Sequence, residues 1–414
     1  MTKKIICLIF TLVFCLCACA KTPVPAPDDT SASKNTKGND TGFYVSGFDD
    51  ATPVETKPTD KETEPEEPTV SKVSFAAVGD NIIYQAGFTD ARNRANDQYP
   101  EYNFTPIYEN ILPEIQAADL AYINQETLMS GAEYGYSDYP QFNCPQHLGH
   151  QLEEMGFDIV NIANNHMLDM TTKGLLDTIE FWRTKNVTLL GGYENEEVYN
   201  TPIVVEKNGI SMVFLSYTYS ANGFQPSANY DVVVPFIDED QIKEDIRRVK
   251  DAGDTLIVSV HWGNENQFEP TAEQRELAQM MCDEGVDVII GTHPHVIQPV
   301  EWLTSSDGNK TLCIYSLGDL VAVMMKASNM LGGLCTFDIV KTGDEVTIEN
   351  VVFNPVVHHF GPSYYNGKLY YLSDFTDELA STFAKVYGIN ANKQSLSDIV
   401  RDVIDTEFLP EEFR

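Results

Sequence analysis

Two histidines separated by one proline, His293 and His295, interrupt the stretch VDVIIGTHPHVIQPVEW, where a run of branched apolar residues stops at Gly291. The same arrangement recurs along the chain. Gly79-Asp80-Asn81 follows VSFAAV, Asn124-Gln125-Glu126 follows DLAYI, and Asn164-Asn165-His166, with Asp169 close behind, follows FDIVNIA. His261-Trp262-Gly263-Asn264-Glu265 follows TLIVSV. Each apolar run therefore ends in carboxylate, carboxamide or imidazole groups. Each has a plainer explanation when taken alone. Gly-Asp is a common turn, Asn is a good helix cap, and a single histidine can sit satisfied in a core. Turn chemistry has no reason to recur at five strand ends, so the set is read together.

Carboxylate, amide and imidazole donors without a thiolate suit a divalent transition metal, Mn, Fe or Zn, in one or two ions. They suit Mg or Ca less, given so many imidazoles, and a structural cysteine-bound zinc not at all. Such ions can activate a water for attack on phosphorus or on a carbonyl. His166, beside the ligand-type Asn165, is placed to protonate a leaving group. Pro294 fixes the backbone between His293 and His295 so that both rings can face one site.

These groups can converge only if the runs before them are strands of one sheet system. Apolar runs at 73–78, 119–123, 157–162, 186–190, 255–260 and 286–290 read as strands. Amphipathic segments at 106–117, 146–155, 172–185, 238–252 and 270–284 read as helices. Strand and helix in alternation predict a largely parallel sheet covered by helices. Ligands bind at the carboxyl ends of strands in such sheets. Segments 201–217, 297–303, 311–316 and 335–353 predict an added antiparallel portion, and 373–414 reads as two helices. The Tyr-, Gly- and Asn-rich loops 130–145 and 216–230 are candidates to line the cleft.

Composition bounds the rest. The 414 residues, 43% hydrophobic, suffice for a large core, and a formal net charge of -35 argues against nucleic acid, which needs a basic face. Lys3 and Lys4 precede the apolar run IICLIFTLVFCLCA, which reads as a signal peptide over 1–18. Residues 19–71, rich in Pro, Thr, Asp, Glu and Lys, cannot bury enough apolar surface to fold and read as a tether. About fifty such residues span roughly 40 Å end to end. Four of the eight cysteines lie within the first nineteen residues. Of the others, Cys282, Cys313 and Cys335 sit in apolar surroundings as small hydrophobes, and no pairing with one another or with Cys144 follows from spacing.

Leu16-Cys17-Ala18-Cys19 resembles a bacterial lipobox, which implies an extracytoplasmic protein lipid-anchored to the cell membrane through Cys19; an ordinary secretory signal or a single membrane anchor is the alternative. The ordered set GD, NQET, LEEMGFDIVNIANNHMLDMTTKGLLDTIEFWRTKNVTLLGGY, VSVHWGNE, GTHPHVIQPVE and YSLGDL resembles the bacterial capsule-synthesis family of CapA type. That family is associated with poly-γ-glutamate capsules and is similar in fold to calcineurin-like metallophosphoesterases. The resemblance covers about 73–325. It implies a metallophosphoesterase-like α/β/β/α sandwich with mixed sheets over 72–357, followed by a helical extension over 358–414. It implies Asp80, Glu126, Asn165, His261, His293 and His295 as metal positions and His166 as the acid or oxyanion partner; Asp169, close behind His166, is taken as catalytic with it. The motifs also depart from those patterns. Ile82 stands where a calcineurin-type first motif has histidine, Gln125 where the family has Leu, and Asp319 where it has an amide. One tight site of Asn165, His261 and His293 is the narrower expectation, and two ions the fuller one.

The functions this resemblance implies are synthesis or export of an anionic envelope polymer, with capsule-assembly proteins as candidate partners. A secreted metal-dependent phosphoesterase acting on a phosphoester substrate is one alternative, and a non-catalytic polymer-binding accessory another. The anchor is tested directly. Each buried acyl methylene contributes about 0.8 kcal/mol and a single chain binds marginally, so stable anchoring needs more than one. Wild type is expected in the detergent phase on partitioning and Cys19→Ala in the aqueous phase; equal partitioning would discard the lipid anchor.

Overall fold

The computed structural model describes residues 69–389 and 391–414. The signal stretch, Cys19 and the tether through residue 68 lie outside them. The first strand already begins at Val70, inside the expected tether boundary, because Val70 pairs with Thr342 on a neighbouring strand.

Four strands open the chain: β1 (Val70–Asn81), β2 (Leu120–Gln125), β3 (Ile159–Asn161) and β4 (Thr188–Leu190). They pair in parallel and in sequence order. The next six are β5 (Ile203–Lys207), β6 (Ile210–Thr218), β7 (Thr255–His261), β8 (Val288–Thr292), β9 (Val300–Thr304) and β10 (Lys310–Ile314). These build a second sheet in the order β5-β6-β7-β8-β10-β9, parallel in the middle with an antiparallel strand at each edge. The chain then returns to the first sheet. β11 (Asp319–Val321) joins the end of β1 in parallel, while β12 (Leu331–Thr342), β13 (Glu345–His359) and β14 (Lys368–Tyr371) extend the sheet antiparallel on the side of β1 away from β2. The expected antiparallel segments are thus strands of the two mixed sheets and not a portion of their own.

Side-chain alternation places the core. Along β1, Val73, Phe75 and Ala77 face the layer between the sheets, while Ala76 and Val78 face the helices outside. Along β8, Val288 and Ile290 face the second sheet's inner layer and Ile289 its outer one. Strands buried on both faces must be apolar throughout, which is why these runs read as unbroken Val and Ile. Between the sheets Phe75 stacks on Phe337 at 4.9 Å and faces Phe214 at 6.5 Å. Outside the second sheet, the helices Glu239–Val249 and Ala272–Glu284 bury Ile242, Ile246, Leu277 and Met281. The protein is mixed α/β, two mixed sheets flanked by helices.

Two differences from the sequence reading have simple causes. The helix expected over 106–117 is two short helices, Thr105–Tyr108 and Leu112–Ala117, each with proline near its start. Pro113 lacks the N–H and the conformational freedom to continue an earlier turn. The boundary expected at 357 falls inside β13. Residues 358–414 contribute β14 as well as the helices Asp377–Tyr387 and Lys393–Val403, and they place Phe360, Phe375, Phe383, Leu396 and Phe408 in the core between the sheets. Among the described residues Cys144, Cys282, Cys313 and Cys335 are free and buried.

One close approach positions the site. At Gly79 the pairing of β1 with β2 slips by one residue, so that Val78 faces Ile123 but Asp80 faces Asn124. A bulge of this kind re-aims the following side chain. A Cβ on Gly79 would lie 1.9 Å from the Gly318 carbonyl oxygen, which accepts from the Asp80 N–H at 3.0 Å. Gly79→Ala is therefore expected to exceed the ~1–3 kcal/mol of ordinary overpacking. Chemical denaturation of the variant is the check, and wild-type stability would show that the two strands can separate freely.

Candidate metal centre

Asp80 is fully buried and accepts two hydrogen bonds, to Oδ1 from the Asn124 side chain at 2.7 Å and to Oδ2 from the His293 N–H at 3.1 Å. Asn124 is held in turn by Asn161 at 2.8 Å, and Asn161 accepts from Ser216 Oγ on β6. This polar chain runs from one sheet to the other beneath the site. Glu126, immediately after β2, is 1% exposed, and neither of its oxygens has a hydrogen-bond partner among the described residues.

Asn164, Asn165 and His166 form the turn after β3. Asn164 ties that turn to β2 through the Gln125 carbonyl, 3.1 Å, and accepts from the His166 N–H at 3.0 Å. Asn165 Oδ1 lies 3.0 Å from His261 Nε2, and the other His261 nitrogen meets Thr292 Oγ1 at 2.9 Å. Thr292 thus fixes which nitrogen of His261 faces the cluster. His166 Nδ1 lies 2.7 Å from Asp169 Oδ2, leaving Nε2 toward Glu126 Oε1 at 3.9 Å. Phe142 backs this pair, its N–H donating to Asp169 at 2.7 Å and its ring meeting the His166 ring edge-on at 4.8 Å.

His293 and His295 both have left-handed backbone, φ 99° and 55°. Residues held there cost of order 1–3 kcal/mol each and persist only when their surroundings dictate it. Here the dictation is visible. The His293 N–H is committed to Asp80 and its ring lies 4.8 Å from that of His261 and 4.4 Å from Tyr219. The His295 carbonyl is held by Asn329 at 2.8 Å, and its Nδ1 by Asp319 at 2.9 Å. Its Nε2 faces Glu126 Oε1 at 3.8 Å.

The electrostatics follow from burial. Desolvation, then Asp80, pushes the Glu126 carboxyl well above its ordinary range, and desolvation pushes Asp319 up to about 7. Burial, then neighbouring imidazoles, holds His261 and His293 well below the usual histidine range, so both are neutral and free to ligate. Burial also pulls on His295, but Asp319 and Glu126 outweigh it and hold that imidazole well above its usual range. Among the described residues, the ion pairs of Asp80, Glu126 and Asp319 are with histidine alone. Buried carboxylates without a strong cationic partner are costly. The unpartnered atoms, both oxygens of Glu126, Oδ2 of Asp319 and Nδ1 of His293, are the donor types that a divalent ion takes up. The residues present therefore fit such an ion. Glu126, Asn165, His261 and His293 would hold one, with Asp80 and His295 beside them.

Every site residue anticipated from the sequence lies in this one cluster. Asp80, Glu126 and His261 each offer an atom within 4.8 Å of the others. The sequence reading named Asn124 only as part of a strand-end motif and passed over Asn161, Thr292 and Asn222, which orient the named groups, since nothing in their local pattern separates them from ordinary strand-end polar residues. Asp319 was noticed only as a departure, yet it reaches His295. Beside Asp169 opens a cavity of about 350 Å³, lined by Gln141 from the first candidate loop and by Phe224, Gln225, Ser227 and Tyr230 from the second. A larger cavity of about 560 Å³, lined by Trp302, Lys310 and Glu345, lies toward the opposite ends of β8 and β10 and includes no residue of the cluster.

A model of the family described as bacterial capsule synthesis protein PGA_cap matches residues 74–324. The chain belongs to this family. Among its PGA_cap relatives are the PGA biosynthesis protein CapA of Bacillus subtilis (strain 168), 34% identical over 172 residues, and the capsule biosynthesis protein CapA of Bacillus anthracis, 32% identical over 179. Each match covers 41% of this chain, and 44% and 41% of the respective relative, so the chain spans under half the length of either. Among solved structures, Haemophilus influenzae NAD nucleotidase (NadN) aligns with a TM-score of 0.43 at 11% identity, covering 80% of this chain and 60% of that one.

Two outcomes test the PGA_cap cluster as a metal centre. A ligand bound only to the native state stabilises it by mass action, so a chelator is expected to lower the melting temperature and Mn or Zn to restore it. His261→Ala and His293→Ala should lose most of that response, and a chelated protein that gains nothing from Mn or Zn would count against the site. The second outcome concerns pH. Burial pushes the Asp319 carboxyl from an ordinary 3.8 up to about 7, so the metal-free fold favours its protonated form. The depressed His261 and His293 imidazoles work the other way, adding stability as pH rises to 6.5, while Asp319's share is complete below about pH 4 and is lost as pH rises through 7. Bound metal replaces the proton and should flatten this slope. Melting temperature against pH, with and without chelator, reads it.

Proposed function

We propose that this protein is a lipid-anchored, extracytoplasmic capsule-biosynthesis protein that acts in synthesis or export of an anionic envelope polymer such as poly-γ-glutamate, through a metal-dependent, hydrolase-like site. The observation that carries the reading is the His166–Asp169 pair, 2.7 Å apart, with the free imidazole nitrogen directed at the unpartnered Glu126. An imidazole backed by a buried carboxylate and facing metal-type donors is an acid–base device, not a packing residue. Membership of a capsule-synthesis family and relatives named for capsule or PGA biosynthesis support the polymer as substrate.

A divalent ion at the centre would supply Lewis-acid polarisation of a substrate carbonyl or phosphoryl oxygen. The chain's own groups do the rest. Asp169 accepts from His166 Nδ1–H and fixes the tautomer, so Nε2 can carry a proton to the leaving group. Phe142 limits the rotation of that ring and Asn222, 3.4 Å from Nδ1, closes its other side. Asn124 and the His293 N–H hold Asp80 in a single orientation. The loops bearing Gln141, Phe224 and Tyr230 border the cavity next to the pair, where a polymer segment can be held.

The test is His166→Ala, measured for metal content and for activity on the same preparation. Metal content is expected to stay unchanged, while cleavage of a γ-linked glutamate polymer, or polymer yield in cells, falls by roughly 10²- to 10⁴-fold, the range for losing a general acid. Loss of phosphodiester cleavage alone would assign the site to a phosphoesterase. A variant that keeps its metal and full activity in every assay would leave a binding accessory.

A further inference from the structure

We infer that Asp319 is itself a metal ligand. With Asp80 and His295 it forms a second cation position, of harder and more oxygen-rich character than the one built from Glu126, Asn165, His261 and His293. The inference rests on the metal-dependent reading above and adds a residue and an ion preference to it.

Asp319 opens β11, which pairs with β1 in parallel so that Asp319 stands directly opposite Asp80. The approach of Gly79 to Gly318 brings the two backbones that close. One atom each from Asp80, His295 and Asp319 lies within 4.8 Å of the others. His295 Nδ1 is 2.9 Å from Asp319 Oδ1 and 3.4 Å from Asp80 Oδ2, while Nε2 is turned to Glu126. Asp319 is 1% exposed, and its Oδ2 has no hydrogen-bond partner among the described residues. A carboxylate needed only to orient His295 would use one oxygen; the second is buried and unused.

β1 contributes one donor to this position. Ile82, two residues beyond Asp80, is buried in an apolar patch with Phe142 and Ala322. The neighbouring strand makes up the difference with a carboxylate. Two carboxylates and one imidazole favour Mn, with Mg or Ca as competitors, whereas two imidazoles, an amide and one carboxylate favour Zn or Fe.

The experiment measures stoichiometry on the full-length chain, by elemental analysis after Zn loading and by electron paramagnetic resonance during Mn titration. Wild type is expected to hold two ions, one of them exchangeable for Mn. Asp319→Asn keeps the shape and an acceptor for His295 but removes the charge, and it should weaken the Mn position at least tenfold while the Zn position stays filled. Asp319→Ser, which also removes the carboxylate, should do the same and serves if the Asn variant does not fold. His261→Ala should show the opposite pattern. Undiminished Mn affinity in the folded Asp319 variants would overturn the inference, leaving Asp319 an orienting residue. A wild type with one ion, indifferent to Asp319, would overturn it and leave the metal centre standing. A wild type with no ion would overturn the metal-dependent reading as well.

Discussion

Three carboxylates, Asp80, Glu126 and Asp319, are buried side by side where histidine is their only ion-pair partner among the described residues. That arrangement is the constraint on which the rest depends. Taking an ionised carboxylate out of water costs several kcal/mol unless a cation or donors replace the water. Asp80 has its two donors, but Glu126 has none. The molecule can meet the cost by protonation, which the raised Glu126 and Asp319 carboxyls express. It can also meet it by binding positive charge, and a divalent ion does so without surrendering the ligands.

Bringing these groups together takes backbone contacts that few sequences permit. Gly79 against Gly318, and Gly291 against the Tyr315 carbonyl at 2.1 Å from a would-be Cβ, let β1, β8 and the chain after β10 touch main chain to main chain. The left-handed histidines at 293 and 295 are the counterpart in conformation: strain accepted at the point where three strands deliver their side chains. Beneath them the Asn124–Asn161–Ser216 chain ties the sheets by hydrogen bonds where apolar packing alone would leave their relative position loose. The large apolar layer fixes the sheets; the small polar chain fixes the site.

Much of this was legible in the sequence because burial on two faces leaves an unmistakable pattern. VSFAAV, TLIVSV and VDVII can be little else than interior strands, and the polar residues that end them can then only be at one edge of a sheet. Helix ends were legible to a residue or two where caps are written in the sequence, as with Thr271 and Gln274 forming a capping box. What was not legible has a common cause. β11 is three residues long and β14 four, too short for periodicity to register. Asp319 gains its meaning only from β11 lying on β1, a pairing across more than two hundred residues. The membership of 358–414 in the core was hidden because an amphipathic helix shows that it has a buried face but not what that face is buried against.

Charge also decides what the centre can receive. The chain carries a formal net charge of -35, and an anionic polymer approaching it meets repulsion at long range. Among the described residues that line the cavity beside Asp169, Lys173 is the one cation, and it is already paired with Asp177. The fixed groups of the cluster therefore repel an anion rather than hold it. Two divalent ions would more than cancel the three carboxylates and turn the same point attractive, in a buried setting where salt screens it little. Metal occupancy on this reading does more than polarise the substrate: it sets whether an anionic substrate is admitted at all.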